Sequence, residues 1–236
     1  MNEHIVDTSE RVTLIGGGEV SARDLELAMT HAPILVAADS GADAALAQGK
    51  LPRAVIGDFD SLSDAARGRI PAERLHRVPE QESTDFDKAL RSIRAPLVLA
   101  VGFLGARVDH QLAAFNVLAR RSGTPCVLIG AEELVLAAPP RIALELAAGD
   151  VVSLFPMRPV TGRSTGLAWP IDGLDFTPDG RIGTSNRAEG AVTLDFDGPG
   201  MLLILPRRAL GPVMAALTPP AAAGHPSSGP VPGSAG

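Results

Sequence analysis

Val55-Ile56-Gly57-Asp58-Phe59-Asp60-Ser61-Leu62 reads as the end of a buried strand, then two carboxylates flanking a phenylalanine, then a serine leading into the next helix. In an extended backbone, residues two apart point to the same side. Asp58 and Asp60 are therefore expected to face one point. Like charges held that close call for a cation between them, and hard carboxylate oxygens suit Mg²⁺. The same residues also fit a polar loop, with Asp60 in a turn, Ser61 as N-cap and Asp64 closing a capping box. The sequence on either side decides between the two.

Upstream, Val12-Thr13-Leu14-Ile15 reads as a strand that ends in Gly16-Gly17-Gly18. This glycine turn is neither a P-loop nor a GxGxxG fingerprint. Ser21, with Asp24 three residues on, opens a helix to about His31. Ile34 to Ala38 is a second strand, ending at Asp39-Ser40-Gly41-Ala42-Asp43, and an alanine-rich helix follows to Gly49. Arg53 to Ile56 is the third strand, and Leu62 to Ile70 a helix. Downstream, Leu75 to Val78 is a short fourth strand. A helix over Thr84 to Arg94 puts Phe86, Ala89, Leu90 and Ile93 on one apolar face, with Asp85 and Lys88 sharing another. Leu97 to Val101 is the fifth strand, ending at Gly102-Phe103-Leu104-Gly105-Ala106-Arg107-Val108-Asp109-His110. The next helix is expected to turn Leu112, Phe115, Leu118 and Ala119 inward, with Asp109 able to cap it and His110 able to pair with Asp109. Cys126 to Ile129 is the sixth strand.

Strands and helices alternate through this half, which predicts a mostly parallel, Rossmann-like sheet covered by helices. Ligands bind such sheets outside the carboxyl ends of the strands. Asp39 and Asp43, Asp58 and Asp60, Thr84 and Asp85, and Arg107 and Asp109 all follow strand ends. Four such clusters on one rim favour a metal–phosphate site over turn chemistry. Beyond Pro139, short apolar runs (141–146, 150–155, 192–196 and 201–205) are separated by glycine, proline and aspartate, which predicts a small antiparallel sandwich or barrel. The expected organisation is an N-terminal extension (1–10), an α/β domain (11–138), a β-domain (139–217) and a disordered tail (218–236) rich in Pro, Ala, Gly and Ser.

Composition narrows the function class. The net charge of −6 argues against a nucleic-acid binder, whose footprint is basic. A single cysteine, Cys126, excludes an internal disulfide framework and a cysteine-rich zinc site, and fits a cytoplasmic protein. No apolar run approaches the length of a membrane span. The polar, acidic Met1 to Glu10 is unlike a signal peptide.

At this point the chain resembles the thiamine pyrophosphokinases, over roughly Leu14 to Leu205. The resemblance rests on an ordered set of motifs: Ala38-Asp39-Ser40-Gly41-Ala42, Gly57-Asp58-Phe59-Asp60-Ser61, Ser83-Thr84-Asp85-Phe86-Asp87-Lys88-Ala89-Leu90, and Gly105 to His110. Ser164-Thr165-Gly166-Leu167-Ala168-Trp169-Pro170 and Ser185-Asn186 complete it. It implies ATP-dependent transfer of a diphosphate to thiamine, and a homodimer with two sites across the interface. It further implies that Asp58, Asp60 and Asp85 hold Mg²⁺ and the ATP phosphates, with Asp39 and Asp109 nearby, while Lys88 and Arg107 neutralise phosphate charge. Gly41, Thr84 and His110 are implied around the nucleotide. Trp169 would stack on thiamine bound to the other subunit, with Ser164, Ser185 and Asn186 around that pocket. The segment before Thr84 often carries an aspartate in this family and here reads Glu80-Gln81-Glu82, with Gln81 as the alternative ligand. Thiamine's fixed positive charge suits an acidic rim and an aromatic face. Rival readings are a pyrophosphokinase acting on a hydroxymethylpterin, which needs no cation-binding tryptophan, and a nucleotide-binding regulatory protein, which would have lost metal carboxylates. A dinucleotide-binding oxidoreductase is disfavoured by the missing fingerprint.

Overall fold

The computed structural model describes residues 4–105, 107–120 and 123–218. The elements begin β1 (Val6–Asp7), β2 (Val12–Ile15), α1 (Ala22–His31), β3 (Ile34–Ala38), α2 (Gly41–Ala47), β4 (Ala54–Gly57), α3 (Asp64–Arg69) and β5 (Leu75–Arg77). They continue with α4 (Asp85–Arg91), β6 (Ile93–Arg94), β7 (Val98–Val101), α5 (Val108–Arg120), β8 (Cys126–Ile129) and β9 (Glu133–Ala137). The last are β10 (Arg141–Leu144), β11 (Val151–Pro156), β12 (Gly162–Leu167), β13 (Gly183–Phe196), β14 (Met201–Pro206) and α6 (Leu210–Leu217).

Among the described residues, twelve strands join one mixed sheet. Strands β8, β7, β2, β3, β4 and β5 lie side by side in that order and all run parallel. After β2 the chain moves outward through β3, β4 and β5, then returns to the other side of β2 as β7. The order therefore reverses between β2 and β7, and a crevice opens at their carboxyl ends. Strand β9 turns back antiparallel on β8 and pairs with β14 on its other edge. The β-rich C-terminal half is thus hydrogen-bonded to the parallel half rather than forming a sheet of its own. Strand β13 changes neighbours along its length. Its first residues pair with β11, and its later ones with β10 and β12.

The parallel strands are apolar without interruption because both faces are covered. Alternate residues enter two cores. Ile15, Leu35, Ala37 and Val55 pack with Leu25 and Ala28 of α1, Ala45 of α2 and Ala66 of α3. Leu14, Val36, Ala38 and Ile56 pack with Phe86 and Leu90 of α4 and with Val117 and Leu118 of α5. Ser21 opens α1 as expected, and it forms a reciprocal capping box with Asp24. The cap of α3 is Ser63, which accepts from the Ala66 N–H, and not Ser61. Helix α4 stops at Arg91, short of the expected Arg94, because Ile93–Arg94 pairs with Val6–Asp7. Those two residues anchor part of the polar N-terminal stretch, and Val6 is buried. Leu112 points outward, 59% exposed; Ala114, Val117 and Leu118 form the inner face of α5. Strands β9 and β12 and helix α6 have no counterpart in the sequence expectations. The expected disordered tail lies outside the described residues apart from Thr218, whose hydroxyl donates to Met214 O and accepts from Arg11.

One glycine fixes how α2 meets the sheet. A Cβ on Gly41 would sit 2.1 Å from the Ile15 carbonyl oxygen, a backbone atom that cannot rotate away. Gly41→Ala should cost on the order of 1–3 kcal/mol. A Cβ on Gly68, within α3, meets nothing within 4 Å. Gly68→Ala should therefore be neutral or stabilising, by up to about 1 kcal/mol. Denaturant melts of the two variants check the pair, and equal effects would contradict this packing.

Candidate active site at the strand ends

The carboxyl ends of β2, β3, β4 and β7 and the first turn of α4 surround a cleft of about 440 Å³. Gly17 and Gly18 come from the turn after β2, Asp39 and Ser40 from the end of β3, and Asp58 from the end of β4. Gln81, Thr84, Asp85 and Lys88 come from α4 and the loop before it, and Gly102 and Phe103 follow β7. Arg107 and His110 line the far side, at the start of α5.

Asp39, Asp58 and Asp85 converge, each offering an oxygen within 4.8 Å of the others. Gly57 makes the room, since a Cβ there would lie 2.9 Å from Asp39 Cβ and 3.2 Å from Asp85 Oδ1. Lys88, 1% exposed, reaches into the group from one helical turn beyond Thr84. Its Nζ donates to Asp58 Oδ2 at 2.5 Å and to Asp85 Oδ1 at 3.2 Å. Burial favours the neutral amine, but the two carboxylates outweigh it and hold the Lys88 pKa above the ordinary lysine value. The hydrogen bond from Lys88 holds Asp58 below the usual carboxylate range. Asp39 behaves oppositely. Burial first, and then the Asp85 charge, push its pKa up. Its Oδ2 accepts from the Ser61 N–H. Its Oδ1 is buried with no hydrogen-bond partner among the described residues. Unpartnered buried oxygens are rare and call for an explanation, an ion among them. Three hard anionic oxygens, one of them orphaned, fit a Mg²⁺ ion.

Asp60 is not in this group. It is exposed, and its backbone N–H donates to Asp58 Oδ1. The expected alternation fails because Phe59 has φ +69°, which breaks the extended run and sends the ring into the core. Arg77 donates to the Asp58 carbonyl, and Arg67 to the Phe59 carbonyl while lying over its ring. These two arginines carry no motif that marks them in the sequence. Asp39 takes the third place in the triad, with its backbone in the left-handed region at φ +44°.

Other expected residues are distributed as follows. Gln81 lies at the edge of the triad, its amide 3.5 Å from Asp58 Oδ2. Thr84 is the N-cap of α4, accepting from the Asp87 N–H. Gly41 starts α2 beneath the cleft and does not line it. Arg107 and Asp109 form an exposed ion pair, which lowers the Asp109 pKa. It is the backbone N–H of His110, rather than its ring, that donates to Asp109. Trp169, Ser164, Ser185 and Asn186 lie outside the cleft of their own chain, on and between β12 and β13. Trp169 is 59% exposed. The Ser164 hydroxyl accepts from the Ile171 N–H.

Comparison with known proteins meets this geometry. A family model described as the thiamin pyrophosphokinase catalytic domain matches residues 25–128, and one described as the thiamin pyrophosphokinase vitamin B1 binding domain matches residues 141–200. Thiamine pyrophosphokinase 1 of Arabidopsis thaliana is 25% identical over 225 residues, spanning 80% of this chain and 84% of its own. Thiamine pyrophosphokinase 1 of Oryza sativa subsp. japonica is 29% identical over 157 residues, with 58% of this chain covering 60% of that relative. The thiamin pyrophosphokinase from Candida albicans shares the fold with a TM-score of 0.71 at 16% identity, over 84% of this chain and 89% of its own. The thiamine pyrophosphokinase from Bacillus subtilis does so at 0.67 and 22%, over 84% and 98%. With both models matched in order over more than half of the sequence, the chain belongs to the thiamin pyrophosphokinase family.

Proposed function

We propose that this chain transfers the diphosphate of ATP to the hydroxyethyl oxygen of thiamine, giving thiamine diphosphate and AMP. The observation that carries the reading is the convergence of Asp39, Asp58, Asp85 and Lys88 at the strand ends of a family member, with Asp39 and Lys88 buried and Asp58 and Asp85 partly so. The α/β part (11–138) takes ATP and the β part (139–217) takes thiamine.

The thiamine oxygen attacks the β-phosphorus, the bond to the α-phosphate oxygen breaks, and AMP leaves. Such transfers pass through a loose transition state, so the protein contributes mainly position and charge. Asp39, Asp58 and Asp85 would hold Mg²⁺, which supplies charge neutralisation at the phosphate oxygens. Lys88, fixed by two carboxylates, points its ammonium into the same end of the cleft. Arg107 adds a second cation from the opposite wall. Holding the alcohol and ATP in line can supply on the order of 7–11 kcal/mol. The alcohol proton passes to solvent or to a rim carboxylate late in the transfer.

Thiamine's thiazolium cation suits the exposed Trp169 ring. Because Trp169 lies outside its own chain's cleft, the reading includes a homodimer in which Trp169 of one protomer faces its partner's cleft. The exposed Val108 and Leu112 beside that cleft support such a contact. No helix among the described residues is long and apolar enough to cross a membrane, and the proposed location is the cytoplasm.

An assay with ATP, Mg²⁺ and thiamine should yield AMP and thiamine diphosphate in equal amounts. AMP without thiamine diphosphate would keep the chemistry and move the acceptor to another alcohol, a hydroxymethylpterin first. Asp85→Asn should lower kcat by at least about a hundredfold with an unchanged fold. Wild-type turnover in that variant would remove Asp85 from the metal site. Asp39→Asn should have opposite effects on activity and stability. Turnover falls, yet the chelator-treated protein melts about 2–4 °C higher, because about 1 kcal/mol of buried like-charge repulsion is relieved. Added Mg²⁺ should stabilise the wild type and not this variant. A lower melting temperature for metal-free Asp39→Asn would contradict the charge argument.

A further inference from the structure

We infer that Asn186 is a positioning residue whose side chain mounts Trp169, and that it does not itself meet the substrate. The inference rests on the thiamine-binding role proposed above for Trp169. Asn186 is 7% exposed, whereas the indole it serves is 59% exposed. Its Oδ1 accepts from the Trp169 N–H at 3.2 Å and from the Arg187 N–H at 2.8 Å, and its Nδ2 donates to the Trp169 carbonyl at 2.7 Å. Both backbone groups of one residue are therefore held by one amide, as a neighbouring strand would hold them. The amide orientation is set by the chemistry, because a flipped NH₂ would face two N–H donors.

The reason for a side-chain mount lies in the pairing of β13. The ladder between β12 and β13 ends with Leu167 opposite Ala188, followed by one further bond from the Ala168 N–H to Arg187 O. The next position on β13 is Asn186, which is paired with Val152 on β11. With that backbone engaged elsewhere, the amide extends the ladder to Trp169. Two features aim it. The register of β11 against β13 shifts between Val152 and Leu154, and Ser185 sits at φ +63° with its N–H held by the buried Ser153 hydroxyl. Bulges of this kind re-aim side chains beside sites. On the far side, Pro170 confines Trp169 to extended conformations. The backbone of Trp169 is thus fixed from three directions while its ring is left in solvent, which suits an aromatic surface kept ready for a flat cationic ligand.

Trp169 is the one tryptophan in the sequence, so its fluorescence reports the mount directly. In the full-length protein without ligands, Asn186→Ala should lower the anisotropy of Trp169 emission and ease its quenching by acrylamide. The same variant should raise the thiamine KM about tenfold through the lost hydrogen bonds, leaving the ATP KM within about twofold. In a Trp169→Ala background, adding Asn186→Ala should change the thiamine KM by less than about twofold, because a residue acting through another adds nothing once that other is gone. A full tenfold effect in that background would mean that Asn186 contacts thiamine, and would overturn the inference. So would unchanged anisotropy in the single variant. If Asn186→Ala fails to fold, Asn186→Asp keeps the acceptor and loses the donor, and should give a smaller change in the same direction in both readouts; no change would overturn the inference. A chain that does not turn over thiamine at all would overturn the functional reading instead, while the anisotropy would still decide whether Asn186 holds the indole.

Discussion

The buried ammonium of Lys88 is the constraint on which the rest of the site depends. Three carboxylates brought within 4.8 Å of one another repel one another. Lys88 pairs with two of them, and it can do so because α4 begins at Asp85 under the Thr84 cap, so that Asp85 and Lys88 lie three residues apart on one face. Removing the ammonium would leave two partly buried carboxylates without their cation. The pairing is incomplete by construction. Among the described residues Asp39 keeps a buried oxygen without a hydrogen-bond partner, and burial with the Asp85 charge raises its pKa. The deficit sits where the proposed divalent ion would complete it.

Backbone strain falls in the same places. Among the described residues, three non-glycine positions have positive φ: Asp39, Phe59 and Ser185. Each such conformation costs of order 1–3 kcal/mol and persists only where its surroundings over-determine it. The surroundings are visible. Phe59 is held by burial of its ring and by Arg67, Asp39 by the Ser61 N–H and its packing against Gly57, and Ser185 by the Ser153 hydroxyl. Two of the three shape the acidic triad, and the third shapes the mount of Trp169. Strain is spent where a side chain must leave the direction its strand would give it.

This explains what was legible in the sequence. The parallel half was readable because each strand is buried on both faces and therefore forms a continuous apolar run, and because Ser21 and Thr84 cap helices by local hydrogen bonds. The location of the site followed from strand order. The membership of the triad did not. Counting two residues from Asp58 to Asp60 assumes an extended backbone, and the left-handed turn at Phe59 is set by tertiary contacts from Arg67 and Arg77, residues 8 and 18 positions further along. Leu112 misled for a related reason: helical periodicity marks an apolar stripe but does not say whether the sheet or another surface covers it. Strands β9 and β12 escaped notice because β9 lies in a stretch read as the end of the first domain, and because Gly162–Leu167 is mostly small and polar. The role of Asn186 was invisible to spacing altogether, since its partner stands 17 residues away and is held through backbone atoms.

The continuity of the sheet bears on how the two halves can cooperate. Strand β9 pairs with β8 on one edge and β14 on the other, and Leu134, Val135 and Leu136 are buried between them. Swinging the β-rich half over its own cleft would have to break the ladder from Val127–Leu136 to Ile129–Leu134 and expose that core. Burying three such side chains stabilises the joint by about 1.5–3 kcal/mol each, far more than a hinge between loosely joined domains has to overcome. The indole on its rigid mount is therefore poorly placed to close on its own chain by domain motion. In the proposed homodimer a second protomer would bring an aromatic face to the acidic cleft without disturbing either core, and that supports the proposal of a site completed between chains.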